Sequence, residues 1–169
     1  QRQMCIRDST TTDDDVAGFT IAETDSSTSV SESGTTDTFT VVLNAQPTDN
    51  VVLSISSADT GEATVTSLLT FTSANWDTPQ TVTVTGVNDG AIDGDIIHNI
   101  TLAVIDGQSD DTYDPVSNSV VQNTTADNDA AGFTVTQAGG STLVAETEST
   151  DTFTVSMTTQ PATDVVLSV

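Results

Sequence analysis

Basic residues are almost missing from this chain. Its 169 residues include two Arg and no Lys against 25 acidic residues, which gives a formal net charge of −23 at pH 7. Nucleic-acid binding needs basic side chains to neutralise phosphates, and an anionic membrane surface would repel the chain for the same reason. The composition therefore excludes a nucleic-acid partner, and solvent, salt or bound cations have to balance the carboxylates.

Cysteine, histidine and long apolar runs are equally scarce. One Cys cannot form an internal disulfide, so an apolar core or bound metal has to hold the fold together. No apolar run approaches the ~18 residues of a membrane-spanning helix, and we expect no membrane insertion. The only His, His98, has no glycine-framed serine to act with, so we expect no enzymatic activity. His98 is predicted to pack on the apolar face of a strand.

The first nine residues are predicted to be foreign to the fold. Reverse translation of Gln1–Ser9 resembles a transposase sequencing adapter. Both Arg residues and the only Cys lie in this segment, so the rest of the chain has 24 acids (25 − 1) and no basic residue (2 − 2). We therefore exclude 1–9 from the fold.

An ungapped internal repeat is the strongest pattern in the sequence. Ala17-Gly18-Phe19-Thr20 recurs as Ala131-Gly132-Phe133-Thr134, an offset of 114 residues (131 − 17). The same offset aligns 36–41 with 150–155 and 51–54 with 165–168. Such a period predicts a tandem array. We expect the tail of one repeat at 10–15, a complete repeat at 16–129 and a truncated N-terminal part of the next at 130–169.

Apolar residues within the repeat alternate with a period of two. Phe39, Val41 and Leu43 alternate with Thr38 and Thr40, and Asn, Asp, Gly and Pro separate the runs. About seven short strands and no helix predict an all-β fold, an immunoglobulin-like Greek-key β-sandwich. The alternative is a disordered Thr-rich stalk.

Acidic loops recur at fixed places in the repeat. Asn88–Asp95 alternates acids with Asn and Gly, and Asp13-Asp14-Asp15 and Asp127-Asn128-Asp129 precede the two units. Short oxygen-bearing side chains on loops suit calcium, which takes six to eight hard oxygen ligands. The spacing is not that of an EF-hand. The alternative is that these acids only form turns and a solvated surface.

The order of these elements resembles the Calx-β domain, in the bacterial extracellular form found in tandem arrays. The motifs are Phe19, Val30-Ser31-Glu32, 37–43, 69–72 with Asn75-Trp76, 79–84, and the acidic loops. The resemblance implies calcium at one end of the sandwich. It implies these ligands: Glu32, Asp59, Asn88, Asp89, the Ala91 carbonyl, Asp93, Asp95, Asp127 and Asp129. Asn88, Gly90, Asn128 and Ile96 stand where the family has acids, so we expect one or two ions per repeat.

The function that this resemblance implies is structural. We expect a calcium-binding spacer repeat of a large secreted or surface-attached bacterial adhesin, with calcium stiffening the junctions between neighbouring repeats of the same chain. Other domains of that protein would bind a host or matrix glycan or protein. One alternative is a non-catalytic module of a secreted polymer-degrading enzyme. Another is a glycan or protein recognition module with Trp76 as a stacking platform, although such a Trp more often covers a sandwich edge.

Overall fold

β-Strands make up nearly all the regular structure of the chain. The structure is a computed structural model that describes residues 14–168, so the predicted adapter segment 1–9 and Asp13 lie outside it. The strands of this range are β1 (Phe19–Glu23), β2 (Thr28–Ser31), β3 (Thr36–Leu43), β4 (Val51–Ser57), β5 (Ala63–Val65), β6 (Leu68–Phe71), β7 (Gln80–Gly86), β8 (Ile96–Val104), β9 (Ser119–Ala126), β10 (Phe133–Gln137) and β11 (Phe153–Met157).

The strands form two larger sheets and one separate hairpin. One sheet has the order β1-β3-β7-β5, the other has the order β2-β9-β8-β4-β6, and β10 pairs with β11 alone. All pairs are antiparallel except β2 with β9. The described helices are three-residue 3-10 turns at Thr24–Ser26, Asp106–Gln108 and Ala138–Gly140. Within residues 14–168 no helix has the length and apolar character needed to cross a membrane.

A single apolar core lies between the two larger sheets. β3 contributes Phe39 and Val41, which are fully buried together with Leu53 of β4 and Leu102 of β8. The neighbouring Thr and Ser residues are more exposed, as the predicted period of two requires. The fold is thus all-β and consistent with a β-sandwich, which confirms the coarse prediction.

Residues 16–129 contain nine strands in the structure, compared with the seven or so that the sequence predicts. One reason is a break between β1 and β2, where Asp25 and Ser26 have positive φ values of 53° and 66°. The chain turns sharply there and passes from the first sheet to the second, so one run of residues becomes two strands. β5, with three residues, is too short to show a clear periodicity.

The hairpin β10–β11 repeats the geometry of β1 and β3. Phe133 pairs with Met157 as Phe19 pairs with Leu43, an offset of 114 residues in both strands (133 − 19 and 157 − 43). The offset extends to a side-chain contact: the Leu143 amide donates to Asp151 at 2.8 Å, and the Ser29 amide donates to Asp37 at the same distance.

Loops at the end of the fold where β3 and β8 finish meet at a buried carboxylate. Asp110 is 5% exposed. One of its oxygens accepts hydrogen bonds from the Thr48 amide (2.6 Å), the Thr48 hydroxyl (2.7 Å) and the Asp49 amide (3.0 Å). The other accepts from the amide and hydroxyl of Thr112 at 2.9 and 2.6 Å. Five donors therefore satisfy this carboxylate.

Candidate metal centre

The parallel pairing of β2 with β9 places two acidic segments side by side. Ser31 pairs with Ala126 at the ends of these strands, and the Glu32 amide donates to the Ala126 carbonyl at 3.1 Å. Because parallel strands end at the same edge, Glu32 lies next to the segment Asp127–Asp129. The Asn128 amide donates to the Glu32 carboxylate at 3.3 Å.

The antiparallel pairs bring the remaining acids to this same end. β5 begins where β7 ends, and the Val87 amide donates to the Glu62 carbonyl at 2.8 Å. The loop 88–95 then leads into β8, which starts opposite the end of β9. Five strand ends therefore surround one small volume.

Gly86 allows the two sheets to approach each other closely here. A Cβ built on Gly86 would lie 2.0 Å from the Ser31 carbonyl oxygen and 2.7 Å from its carbon. Backbone atoms cannot yield as a flexible side chain can, so only glycine fits. The close approach holds Glu32 against the segment that carries Glu62.

Five carboxylates converge in this volume, and we call them the acidic end: Glu32, Glu62, Asp89, Asp93 and Asp129. Glu32, Asp89 and Asp129 each offer an oxygen within 4.8 Å of the others, and Glu32, Glu62 and Asp93 do so as well. Both groups include Glu32. Two neighbouring ion positions that share one carboxylate fit this arrangement.

The electrostatics of the acidic end disfavour negative charge. Burial raises the pKa of Glu32, which is 2% exposed, and the charges of Asp127, Asp89 and Asp129 raise it further, against the Asn128 hydrogen bond.

Burial likewise raises the pKa of Glu62, which is 6% exposed, and Asp93 and Glu32 are the strongest charges acting on it. Asp129 keeps its Oδ2 buried without a hydrogen-bond partner. A bound cation would neutralise Glu32 and Glu62 and would give the Asp129 oxygen a partner.

Four of the nine ligands implied by the resemblance belong to the acidic end, namely Glu32, Asp89, Asp93 and Asp129. Two more brace it. Asp127 accepts from the amides of Gly94 (2.9 Å) and Asp129 (2.7 Å), and hydrogen bonds from these amides, that of Asp129 first, lower its pKa. Asp95 accepts from the Asp127 amide at 3.2 Å.

The other three implied ligands lie beside the acidic end rather than in its two groups. The Asn88 side chain accepts from the Asn128 side chain at 2.9 Å. The Ala91 amide donates to Asp89 at 2.6 Å, and Ala91 forms a β-bridge with Gln160. Asp59 is exposed and accepts from the Gly61 amide at 3.0 Å. The role of all nine residues as ligands stays a prediction.

Glu62 is the residue that sequence reasoning missed. Asp59 and Glu62 lie three residues apart in the segment Asp59-Thr60-Gly61-Glu62. The Asp59 side chain closes the turn at Gly61, whereas Glu62 directly precedes β5 and is buried. No clustering of Asp, Asn or Gly marks Glu62 in the sequence, and its burial follows from its place directly before Ala63, the fully buried first residue of β5.

His98 and Trp76 have packing roles in the structure. His98 is buried on β8, where burial lowers its pKa, and its Nε2 lies 3.4 Å from the side-chain nitrogen of Asn123. Trp76 is partly buried against the core, and its carbonyl accepts from the Leu43 amide at 3.1 Å. Both positions agree with the packing interpretation of the sequence.

Comparisons with known proteins assign no family to this chain. No family model matches it, and no curated protein does. Among solved structures it is similar to the E. coli chaperone DraB, with 10% identity, a TM-score of 0.48 and coverage of 70% of this chain and 59% of that one. It is also similar to the YadV chaperone, with 10% identity, a TM-score of 0.43 and coverage of 72% of this chain and 61% of that one.

SSP-19, an MSP-domain protein like family member in Caenorhabditis elegans, has 14% identity and a TM-score of 0.39, with coverage of 62% of this chain and 94% of that one. The chain spans about three-fifths of the length of the two chaperones. These likenesses are too distant to carry an argument about function.

Proposed function

We propose that the acidic end binds calcium, with Glu32 shared between two ion positions. The observation that carries the proposal is the Glu62 carboxylate. It is 6% exposed, close to the carboxylates of Glu32 and Asp93, and within residues 14–168 no group donates a hydrogen bond to it. A buried carboxylate beside like charges is unfavourable unless a proton or a cation neutralises it.

The opposite end of the fold supports this reasoning, because it contains a buried carboxylate that needs no cation. Asp110 receives five hydrogen bonds from Thr48, Asp49 and Thr112. Glu32 receives one long bond from Asn128 and faces three further acids. No Lys or Arg occurs after residue 7 to provide the missing positive charge. A bound cation or a proton has to supply it, and the calcium titration separates the two.

Calcium fits the ligand chemistry best among the common cations. All five residues of the two groups offer carboxylate oxygens, which hard cations prefer and which soft metals do not. The ligands come from strand ends and from a loop with positive φ at Gly90 and Gly94, a flexible frame that suits the variable coordination of calcium. Magnesium requires near-ideal octahedral geometry and gives up its water reluctantly.

We further propose that the chain is part of a tandem array of Calx-β-like sandwiches that acts as a spacer in a bacterial surface adhesin. The offset of 114 residues, repeated in sequence and in strand register, supports the array. The two facing sheets support the immunoglobulin-like Greek-key architecture. Asp129 belongs to the acidic end and directly precedes the second unit, so a bound ion would stiffen the junction.

The test is a calcium titration by calorimetry on the full chain and on two matched variants. Glu62→Gln removes one carboxylate of the acidic end, and we expect it to weaken calcium binding at the position formed by Glu32, Glu62 and Asp93 by roughly tenfold or more. Asp59→Asn removes an exposed carboxylate three residues away, and we expect nearly unchanged affinity. In excess chelator, by contrast, Glu62→Gln should unfold at a higher temperature than the unmodified chain, because loss of the repelling charge stabilises the metal-free fold.

Absence of binding heat in the unmodified chain at millimolar calcium would refute the proposal. An effect of Asp59→Asn as large as that of Glu62→Gln would instead contradict the assignment of Glu62 rather than Asp59 to the site.

A further inference from the structure

The loop 88–95 contacts the second unit as well as the acidic end. The Gly90 carbonyl accepts a hydrogen bond from the Gln160 amide at 3.0 Å, and Ala91 and Gln160 form a parallel β-bridge. Asp89 and Asp93, which flank this contact in sequence, both belong to the acidic end. In this short loop, two proposed ligand residues therefore flank the backbone atoms that contact Gln160.

A side-chain hydrogen bond connects the two functions of this loop. Asp89 Oδ1 accepts from the Ala91 amide at 2.6 Å, so the carboxylate that faces the acidic end also fixes the backbone that pairs with Gln160. Around this contact lies a cleft of about 560 Å³ bounded by Asp89, Ile92, Asp93, Pro161 and Ala162. Because the surroundings are open, the contact depends on the loop conformation.

We infer that the loop 88–95 is a metal-gated docking surface for the segment Gln160–Ala162 of the following unit. This inference rests on the proposed calcium site. Without an ion, Asp89 and Asp93 are repelled by Glu32, Glu62 and Asp129, and the loop moves away from the conformation that presents the Gly90 carbonyl. With an ion, the same carboxylates are held together and the Gln160 amide finds its acceptor.

The equivalent corner of the first unit offers an internal reference. Gln46 precedes Pro47 as Gln160 precedes Pro161, at the same offset of 114 residues (160 − 46). Within residues 14–168 the Gln46 amide has no acceptor, although its side chain donates to the Ser73 carbonyl at 2.8 Å. Both backbone amides belong to a Gln-Pro pair, and they differ in the presence of a docked loop.

The first test is amide hydrogen exchange of the full chain, measured by NMR with calcium and with chelator. We expect calcium to slow exchange at Gln160 roughly tenfold or more and to leave the Gln46 amide unchanged. The Thr158 amide, which donates to the Gly132 carbonyl at 3.0 Å inside the second unit, is the control for folding of that unit. Its exchange should not respond to calcium.

The second test uses the reciprocity of coupled equilibria. Gln160→Pro removes the amide that docks, and we expect calcium affinity to fall roughly fivefold, whereas Gln160→Ala keeps the amide and the affinity. If Gln160→Pro disturbs the second unit, faster exchange at Thr158 will reveal it, and the comparison of calcium with chelator in the unmodified chain then decides.

The outcomes separate the two proposals. No binding heat overturns the calcium site and the gating together. Calcium binding with unchanged exchange at Gln160 overturns the gating alone.

Discussion

At the scale of the residue, the fold contains two different solutions for a buried carboxylate. Asp110 is surrounded by donors, and hydrogen bonds from Thr112 and Thr48 hold its pKa well below its usual range. Glu32 and Glu62 are surrounded by other acids, and burial followed by like charge raises the pKa of each. The same functional group is therefore a stabilising link at one end and a cation ligand candidate at the other.

Asp110→Asn should be strongly destabilising. The variant replaces a buried acceptor of five hydrogen bonds by an amide with one oxygen, and donors of Thr48 or Thr112 lose their acceptor. We expect the free energy of unfolding to fall by about 3 kcal/mol, measured by urea denaturation at pH 7.

The pH dependence of that loss has a defined sign. Since the folded pKa of Asp110 is depressed, its contribution is present in full above the unfolded value of about 3.9 and disappears as pH falls through the folded value. The difference between Asp110→Asn and the unmodified chain should stay constant from pH 5 to 8 and shrink only below about pH 4. A difference that already changes between pH 8 and 5 would contradict this assignment.

Sequence patterns predicted the side chains of the acidic end better than its geometry. The loop 88–95 and Asp127–Asp129 are recognisable because Asp, Asn and Gly cluster there. Glu62 gave no such signal, since its importance comes from the pairing of β5 with β7 across a separation of more than twenty residues. In the sequence, Asp59 and Glu62 are two acidic residues of the same segment, and only their burial in the structure distinguishes them.

At the scale of the element, the period of two predicted which segments form strands, but it did not predict where those strands end. β8 illustrates the success, because His98, Ile100 and Leu102 are buried with exposed or half-buried neighbours. The break at Asp25–Ser26 was missed, since positive φ at non-glycine residues has no reliable sequence signature. That break moves β2 to the second sheet, where its parallel pairing with β9 creates the acidic end.

Gly86→Ala should damage both the fold and the proposed calcium site. The new methyl would lie 2.0 Å from the Ser31 carbonyl oxygen, so β7 and β2 would have to separate beside Glu32. We expect a loss of roughly 2–3 kcal/mol in the free energy of unfolding, together with weaker calcium binding. Thermal unfolding and calorimetry measure the two effects.

Gly107→Ala is the matched control for this variant. Gly107 is exposed, has ordinary φ, and would place its methyl in open space. We expect a change within about 0.5 kcal/mol and unchanged calcium affinity. Equal effects of the two substitutions would contradict the role of Gly86 in closing the sheets.

At the scale of the whole molecule, a net charge of −23 on 169 residues is a general source of instability. Carboxylates spread over the surface repel one another, and any salt weakens that repulsion by screening. Monovalent salt should therefore stabilise the chain even when the acidic end is empty. Two effects of calcium have to be separated, namely its contribution to ionic strength and its binding at a defined site.

Thermal unfolding at matched ionic strength separates these effects. NaCl and CaCl2 screen surface carboxylates similarly when ionic strength is equal, but we expect only calcium to bind the acidic end. At a calcium concentration a hundred times the dissociation constant, binding to the folded state alone adds about 2.7 kcal/mol, which corresponds to a rise in Tm on the order of 10 °C beyond that in NaCl. Glu62→Gln, with affinity about tenfold weaker, should lose about half of this extra rise and keep the response to NaCl, because screening does not depend on one carboxylate. If the two salts raise Tm equally in the unmodified chain, screening alone explains the stabilisation and the acidic end has no specific role in it.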